Sequence, residues 1–158
     1  MRSNEFRQLM ARYPTGVAVL TVHTGTADHG MTLNSLVSIS LHPPSILVSL
    51  GRYTTSLPLV LAAGVFGINV LAVGQELWAR RFSAKPLPPD PFGDIATTRA
   101  PGGTLLFTEA LACFEAEVIK TVEIDDHTVV VARVMDGNWS AGGEALVFHD
   151  SRFKTTIR

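Results

Sequence analysis

The chain has 158 residues, 46% hydrophobic and 17% charged, with a net charge of −1 and one cysteine, Cys113. That length suits one domain, residues 1–158, and its apolar excess implies surface hidden in an oligomer. The near-neutral charge without a basic run excludes nucleic-acid binding and polybasic membrane contact, and a lone cysteine excludes an internal disulfide or a cysteine zinc site.

The first residues, MRSNEFRQLM, lack the apolar stretch of a signal peptide, and no apolar run reaches the length of a membrane span. A cytoplasmic protein is expected. Ser3 is a candidate cap for a first helix, with Phe6, Leu9, Met10 and Tyr13 on one apolar stripe and Pro14 as its stop. Thr15 to Thr24 reads as one strand, and Gly25 to Gly30 as a turn.

The stretch from Gly30 to Gly51 is the most informative. Alternation in LVSIS puts Leu36, Ser38 and Ser40 on one face and Val37, Ile39 and Leu41 on the other. Thr32, Asn34, Ser35, Ser38 and Ser40 thus supply five small hydrogen-bonding groups, suited to a flat, heteroatom-rich ligand. A half-wet antiparallel strand with serines facing water accounts for the same pattern. Pro43-Pro44 breaks the chain, and Ser45 to Leu50 restarts as a buried strand.

A helix over Leu57 to Ala63 follows, with Thr55 or Ser56 as cap and Gly64 as stop. Val65 to Leu71 is a strand and Gln75 to Phe82 a second short helix. Pro86, Pro88, Pro89 and Pro91 exclude regular structure at the start of Ser83 to Gly103, which reads as a surface excursion or lid. Ala110 to Ile124 is a long strand with Glu115, Glu117 and Thr121 on one face. Phe114, Ala116, Val118 and Val122 take the other face, with Lys120 the exception. Strands at His127 to Trp139 and Ala145 to Phe153 complete the chain. Many strands joined by hairpins predict a mainly β protein, an antiparallel barrel with short flanking helices.

No glycine-rich crossover or P-loop is present, so a nucleotide would not be held in the Rossmann manner. Gly51 to Ser56 instead offers Arg52, three hydroxyls and a helix start, a means of holding a phosphate that also reads as an ordinary cap. Cys113 reads as a small buried hydrophobe and Trp78 as core. His23, His29, His42, His127 and His149 lack metal-site spacing; the first three read as exposed turn or strand-end residues.

Thr15-Gly16-Val17-Ala18-Val19, Gly30-Met31-Thr32-Leu33-Asn34-Ser35 and Ser38-Ile39-Ser40-Leu41 with Pro43-Pro44 form an ordered series. Gly51-Arg52, Ile68-Asn69-Val70-Leu71, Arg81-Phe82 and Asp126-His127-Thr128 continue it. The series resembles the short-chain flavin reductase family, Greek-key FMN-binding split barrels that supply reduced flavin to two-component monooxygenases. Leu33, Leu36, Tyr53 and Asp125 depart from the family's usual residues.

The resemblance implies an NAD(P)H:flavin oxidoreductase using NADH or NADPH and FMN or FAD, with a monooxygenase as partner. It implies that the flavin ring rests on Thr32, Leu33, Asn34 and Ser35, near Ser49, Leu50 and Gly51, with Ser38 and Ser40 beside it. Arg52, Thr55, Ser56 and Arg81 would meet the phosphate, and Phe82 would contact the flavin. His127 would serve the nicotinamide or the flavin edge, against the plainer reading of a hairpin-end histidine paired with aspartate. Phe153 would help cover the nicotinamide. A pyridoxamine phosphate oxidase-like enzyme and a non-catalytic flavin- or haem-binding module are the alternatives.

Overall fold

A computed structural model describes residues 1–155. Its helices are α1 (Ser3–Met10), α2 (Ser56–Ala63) and α3 (Glu76–Ser83). Strands β1 (Thr15–Gly16), β2 (Ala18–His23), β3 (Asp28–Leu33), β4 (Val37–Leu41), β5 (Pro44–Gly51) and β6 (Val65–Val70) occupy the first half. The second half holds β7 (Thr97–Arg99), β8 (Leu105–Phe107), β9 (Ala112–Ile124), β10 (His127–Trp139), β11 (Leu146–His149) and β12 (Arg152–Thr155). Seven strands form one antiparallel sheet in the order β3-β2-β6-β9-β10-β5-β4. It curls round a core drawn from both of its halves, with Leu20, Phe66 and Ile68 meeting Val48, Leu50 and Val130.

A second apolar cluster lies outside the curl. Val19, Leu71, Ala79, Phe82, Ile95 and Phe107 gather between the sheet, α3 and the β7–β8 hairpin. Trp78, Phe82 and Phe92 stand 5.7, 5.9 and 6.3 Å from the Phe107 ring. Buried Asn69 secures this layer: its Oδ1 accepts the Phe107 N–H at 2.6 Å, and its Nδ2 donates to the Val19 carbonyl at 3.2 Å. Trp78, expected in the core, is half-buried and packs against this cluster. The 83–103 segment is not a free lid, because Ile95 is buried and Phe92 packs on Phe82 at 5.0 Å.

Several local expectations are revised. Arg2, not Ser3, precedes α1, and its backbone N–H donates to Glu5 at 3.0 Å. The apolar stripe of α1 is left exposed: Phe6, Leu9 and Met10 are all exposed, as is Tyr13 just beyond the helix. The first strand divides at Val17, so β1 pairs with β11 while β2 joins the large sheet. The last strand divides at Asp150 and Ser151, both at positive φ, giving the β11–β12 hairpin. Strand β4 is an edge of the sheet, and its Val37, Ile39 and Leu41 are exposed.

The exception at Lys120 has a structural cause. Val131 opposes Lys120 while Ala132 opposes Val118, so Ile119 is an extra residue in the ladder. A bulge reverses the alternation beyond it. Thr121 therefore shares a face with buried Val130, opposite its expected position, and Val122 turns outward. At the end of α2, Gly64 takes φ 69°, the left-handed stop its sequence position predicts.

A charged clamp holds β7 to the start of β3. Arg99 donates to both carboxylate oxygens of Asp28, at 3.0 and 2.8 Å, and His23 Nδ1 lies 2.9 Å from the same group. The Arg99 hydrogen bond, aided by His23, holds the Asp28 carboxyl below its ordinary 3.8. A carboxyl depressed by folding stabilises the fold fully above its ordinary value and loses that contribution as pH falls below it. Acid titration from about pH 5 to pH 2 should therefore reduce stability less in Asp28→Asn than in the parent. Parallel losses across that range would remove the clamp from the account.

Candidate functional site

Strand β3 and the end of α3 build the site together. The Thr32 hydroxyl donates to the Ala79 carbonyl at 2.7 Å, pinning strand to helix. Gly30 lets the two approach: a Cβ there would stand 2.6 Å from the Phe82 ring. Phe82 is only 2% exposed, so its ring is chiefly a packing element. Two clefts open along β3 around this contact.

The first cleft, about 150 Å³, lies between His29, Gly30 and Met31, the entrance of α2 at Thr54, Thr55 and Ser56, and the Ala84–Leu87 segment. A helix N-terminus carries unpaired N–H groups and favours an anion. Lys85, an exposed cation, is among the lining residues. Thr54 donates to the Gly51 carbonyl at 2.8 Å and Thr55 is exposed. Ser56 is nearly sealed, 1% exposed, with its Oγ 2.9 Å from His29 Nε2. His29 is thus half-buried, not the exposed turn residue expected, and burial lowers its pKa.

Both predicted arginines stand outside this lining. Arg81 donates to both carboxylate oxygens of Asp94 and to the Pro91 carbonyl at 3.0 Å, so it anchors the proline-rich segment. Its hydrogen bond holds the Asp94 carboxyl below the usual range. Arg52 points along the β5–β10 edge, donating to the Asp125 carbonyl at 3.2 Å, with Glu123 at 3.8 Å.

The second cleft, about 180 Å³, is lined by Val17, Thr32, Leu33, Asn34, Ser83, Phe148 and Phe153. Phe148 and Phe153 meet edge to face at 5.4 Å, and the Arg80 guanidinium lies 5.2 Å over the Phe153 ring. Asn34 donates to the Thr15 hydroxyl at 3.1 Å. Ser35 bridges strands: its hydroxyl donates to the Ser49 carbonyl at 2.9 Å and accepts the Ser49 N–H at 3.1 Å. Leu33 and Leu50 are buried. Ser38 is exposed on the β4 edge, and the half-buried Ser40 accepts the His42 N–H at 3.2 Å. The expected hydroxyl row is therefore dispersed: Thr32 ties β3 to α3 and Ser35 ties the β3–β4 connection to β5, while Ser38 and Ser40 lie on a separate edge.

His127 opposes Gly51 in the β10–β5 register, and its Nε2 stands 3.8 Å from where a Gly51 Cβ would be. Its Nδ1 lies 2.8 Å from the Asp126 carboxylate. That contact lowers the Asp126 pKa and fixes the ring beside the Gly51–Thr54 turn. A larger hollow, about 590 Å³, lies between the β7–β8 hairpin and the end of β10, among Arg99, Asp136 and Trp139. It includes none of the predicted site residues. Cys113 on its wall has its thiol pKa raised by burial, which suits a packed side chain better than a nucleophile.

Sequence reasoning missed Lys85, His29 and Phe148, and it anticipated Thr54 among the hydroxyls at the start of α2. Lys85 had one local signal, a cation just beyond a helix in a proline-rich stretch that must fold back. The His29–Ser56 contact spans 27 residues and left no local trace.

Among the described residues, no helix is long and apolar enough to cross a membrane, and no cluster of side chains suits a metal ion. Residues 10–156 match the flavin reductase like domain. The NADH-dependent flavin reductase StyB of Pseudomonas fluorescens is 41% identical over 153 residues, covering 94% of this chain and 86% of that protein. The styrene monooxygenase flavin reductase of Pseudomonas putida S12 superposes with a TM-score of 0.88 at 35% identity, covering 98% of both chains. BorF, the flavin reductase component of a bacterial two-component tryptophan halogenase, gives 0.91 at 32% identity, again covering 98% of both. With its curled antiparallel sheet and its clefts along β3, the chain belongs to the flavin reductase-like family.

Proposed function

We propose that the protein is an NADH:flavin oxidoreductase that reduces FMN or FAD and releases it to a partner monooxygenase. The observation that carries this reading is the pair of clefts served by one strand. One cleft offers an anion site and the other an aromatic wall beside backbone groups. The donor set suits a flavin nucleotide. Thr54, Thr55, Ser56 and Lys85 would meet its phosphate, with Arg81 securing the segment that carries Lys85. Thr32 to Ser35, Ser49 and Gly51 would border its ring through backbone groups. When bound, the flavin supplies the hydride acceptor. Fixed main-chain N–H groups can stabilise the charge that develops there without reorganising.

Phe148 and Phe153 would cover the nicotinamide and exclude water. His127, held by Asp126, would position the donor nucleotide. His127→Ala should raise the KM for NADH about tenfold, the loss of one hydrogen bond to a charged group, and leave the flavin KM nearly unchanged. An unaltered NADH KM would remove His127 from the donor site.

NADH is an intracellular reductant, which suits a cytoplasmic enzyme. The exposed stripe of α1 and the exposed β4 edge support a homodimer. Desalted protein given NADH should oxidise it in proportion to added FMN or FAD. Protein that stays yellow after desalting and reduces no added flavin would instead be an oxidase with a resident cofactor. Protein that turns over neither would be a binding module.

A further inference from the structure

We propose that His29 is a positioning residue for the flavin phosphate: its Nε2–H donates to Ser56 Oγ, so that the Ser56 hydroxyl proton faces the anion. The inference rests on the phosphate placement proposed above. His29 stands on β3 opposite Val22, and Ser56 is the first residue of α2. Their 2.9 Å contact joins the two elements, and both residues line the first cleft.

A serine hydroxyl has one proton and two lone pairs. If that proton is given to Nε2, Ser56 presents only lone pairs to the cleft, which disfavours an anion. If Nε2 carries the proton and donates, the Ser56 proton is free to join Lys85 and the α2 N–H groups on a phosphate oxygen. A bound phosphate would therefore select the second arrangement. Burial disfavours the charged imidazolium, so a neutral ring can exchange one tautomer for the other. The same contact fixes the side-chain direction of Ser56, which is otherwise a single rotor at the helix entrance.

FMN and riboflavin differ only in the phosphate, so their KM ratio at saturating NADH reads this interaction. His29→Phe and Ser56→Ala should each raise the FMN KM about tenfold and leave riboflavin unchanged, and the double variant should lose no more than either. His29→Gln, whose amide can donate to Ser56, should recover most of the FMN preference. The inference is overturned if both flavins lose equally, if FMN is unaffected, or if the two single effects multiply. A parent enzyme with no preference for FMN would overturn the phosphate placement itself; a preference that survives in His29→Phe overturns only the role of His29. Nitrogen NMR of the unaltered protein gives an independent reading. FMN, but not riboflavin, should shift the His29 Nε2 signal towards the protonated form, and identical spectra with the two flavins would contradict the proposal.

Discussion

Lys85→Glu should raise the KM for FMN by about a hundredfold and leave that for riboflavin within about twofold, the largest functional effect expected of one substitution. Lys85 lines the first cleft opposite Thr54, Thr55 and Ser56, and both predicted arginines are engaged elsewhere. Losing the ammonium removes a charge-assisted contact, about tenfold in affinity. Placing a carboxylate there adds repulsion of a similar size against a phosphate carrying up to two charges. The residue is exposed, so the penalty should shrink as salt is raised. Lys85→Met should show the first half of the effect alone. Equal losses for FMN and riboflavin, or none, would move the phosphate out of this cleft.

Phe107→Ala should destabilise the protein by about 3–5 kcal/mol, the usual range for emptying a buried phenylalanine site. Phe107 is fully buried, and its ring is met by Trp78, Phe82 and Phe92. These neighbours come from α3 and from the proline-rich segment, so they cannot collapse into the void without moving both clefts. The substitution should therefore also weaken flavin binding, although Phe107 lines neither cleft. Phe107→Leu, which keeps most of the volume, should restore most of the stability. Equilibrium denaturation separates these cases, and a loss under about 1 kcal/mol would show that the second cluster does not hold the layer.

Most of the barrel could be read from sequence because its strands are either largely apolar runs, as β2 and β6, or alternate at period two, as β10, and its turns use glycine, proline and aspartate. His127 to Trp139 was delimited correctly for this reason. The failures were matters of pairing. Val17 passes the chain from one sheet to another without breaking the hydrophobic pattern, and the Asp150–Ser151 turn folds the last strand back on itself within one sheet. The extra residue at Ile119 reverses the faces of β9, and only the cross-strand register reveals it. At the site, chain order grouped Arg52 with Ser56, and the family resemblance added Arg81 to the expected phosphate contacts. In the structure Asp94 and the Asp125 carbonyl hold those guanidinium groups, and Lys85, a residue outside the motifs, is among those lining the first cleft.

The central claim is that the clefts along β3 hold a flavin where NADH can reduce it. Anaerobic mixing of the protein with NADH and excess FMN tests this most directly, with the visible flavin absorbance as the signal. The account predicts catalytic bleaching of many equivalents of FMN per protein, slowed in Lys85→Glu at limiting FMN. Persistent flavin colour in the presence of NADH and folded protein would contradict it.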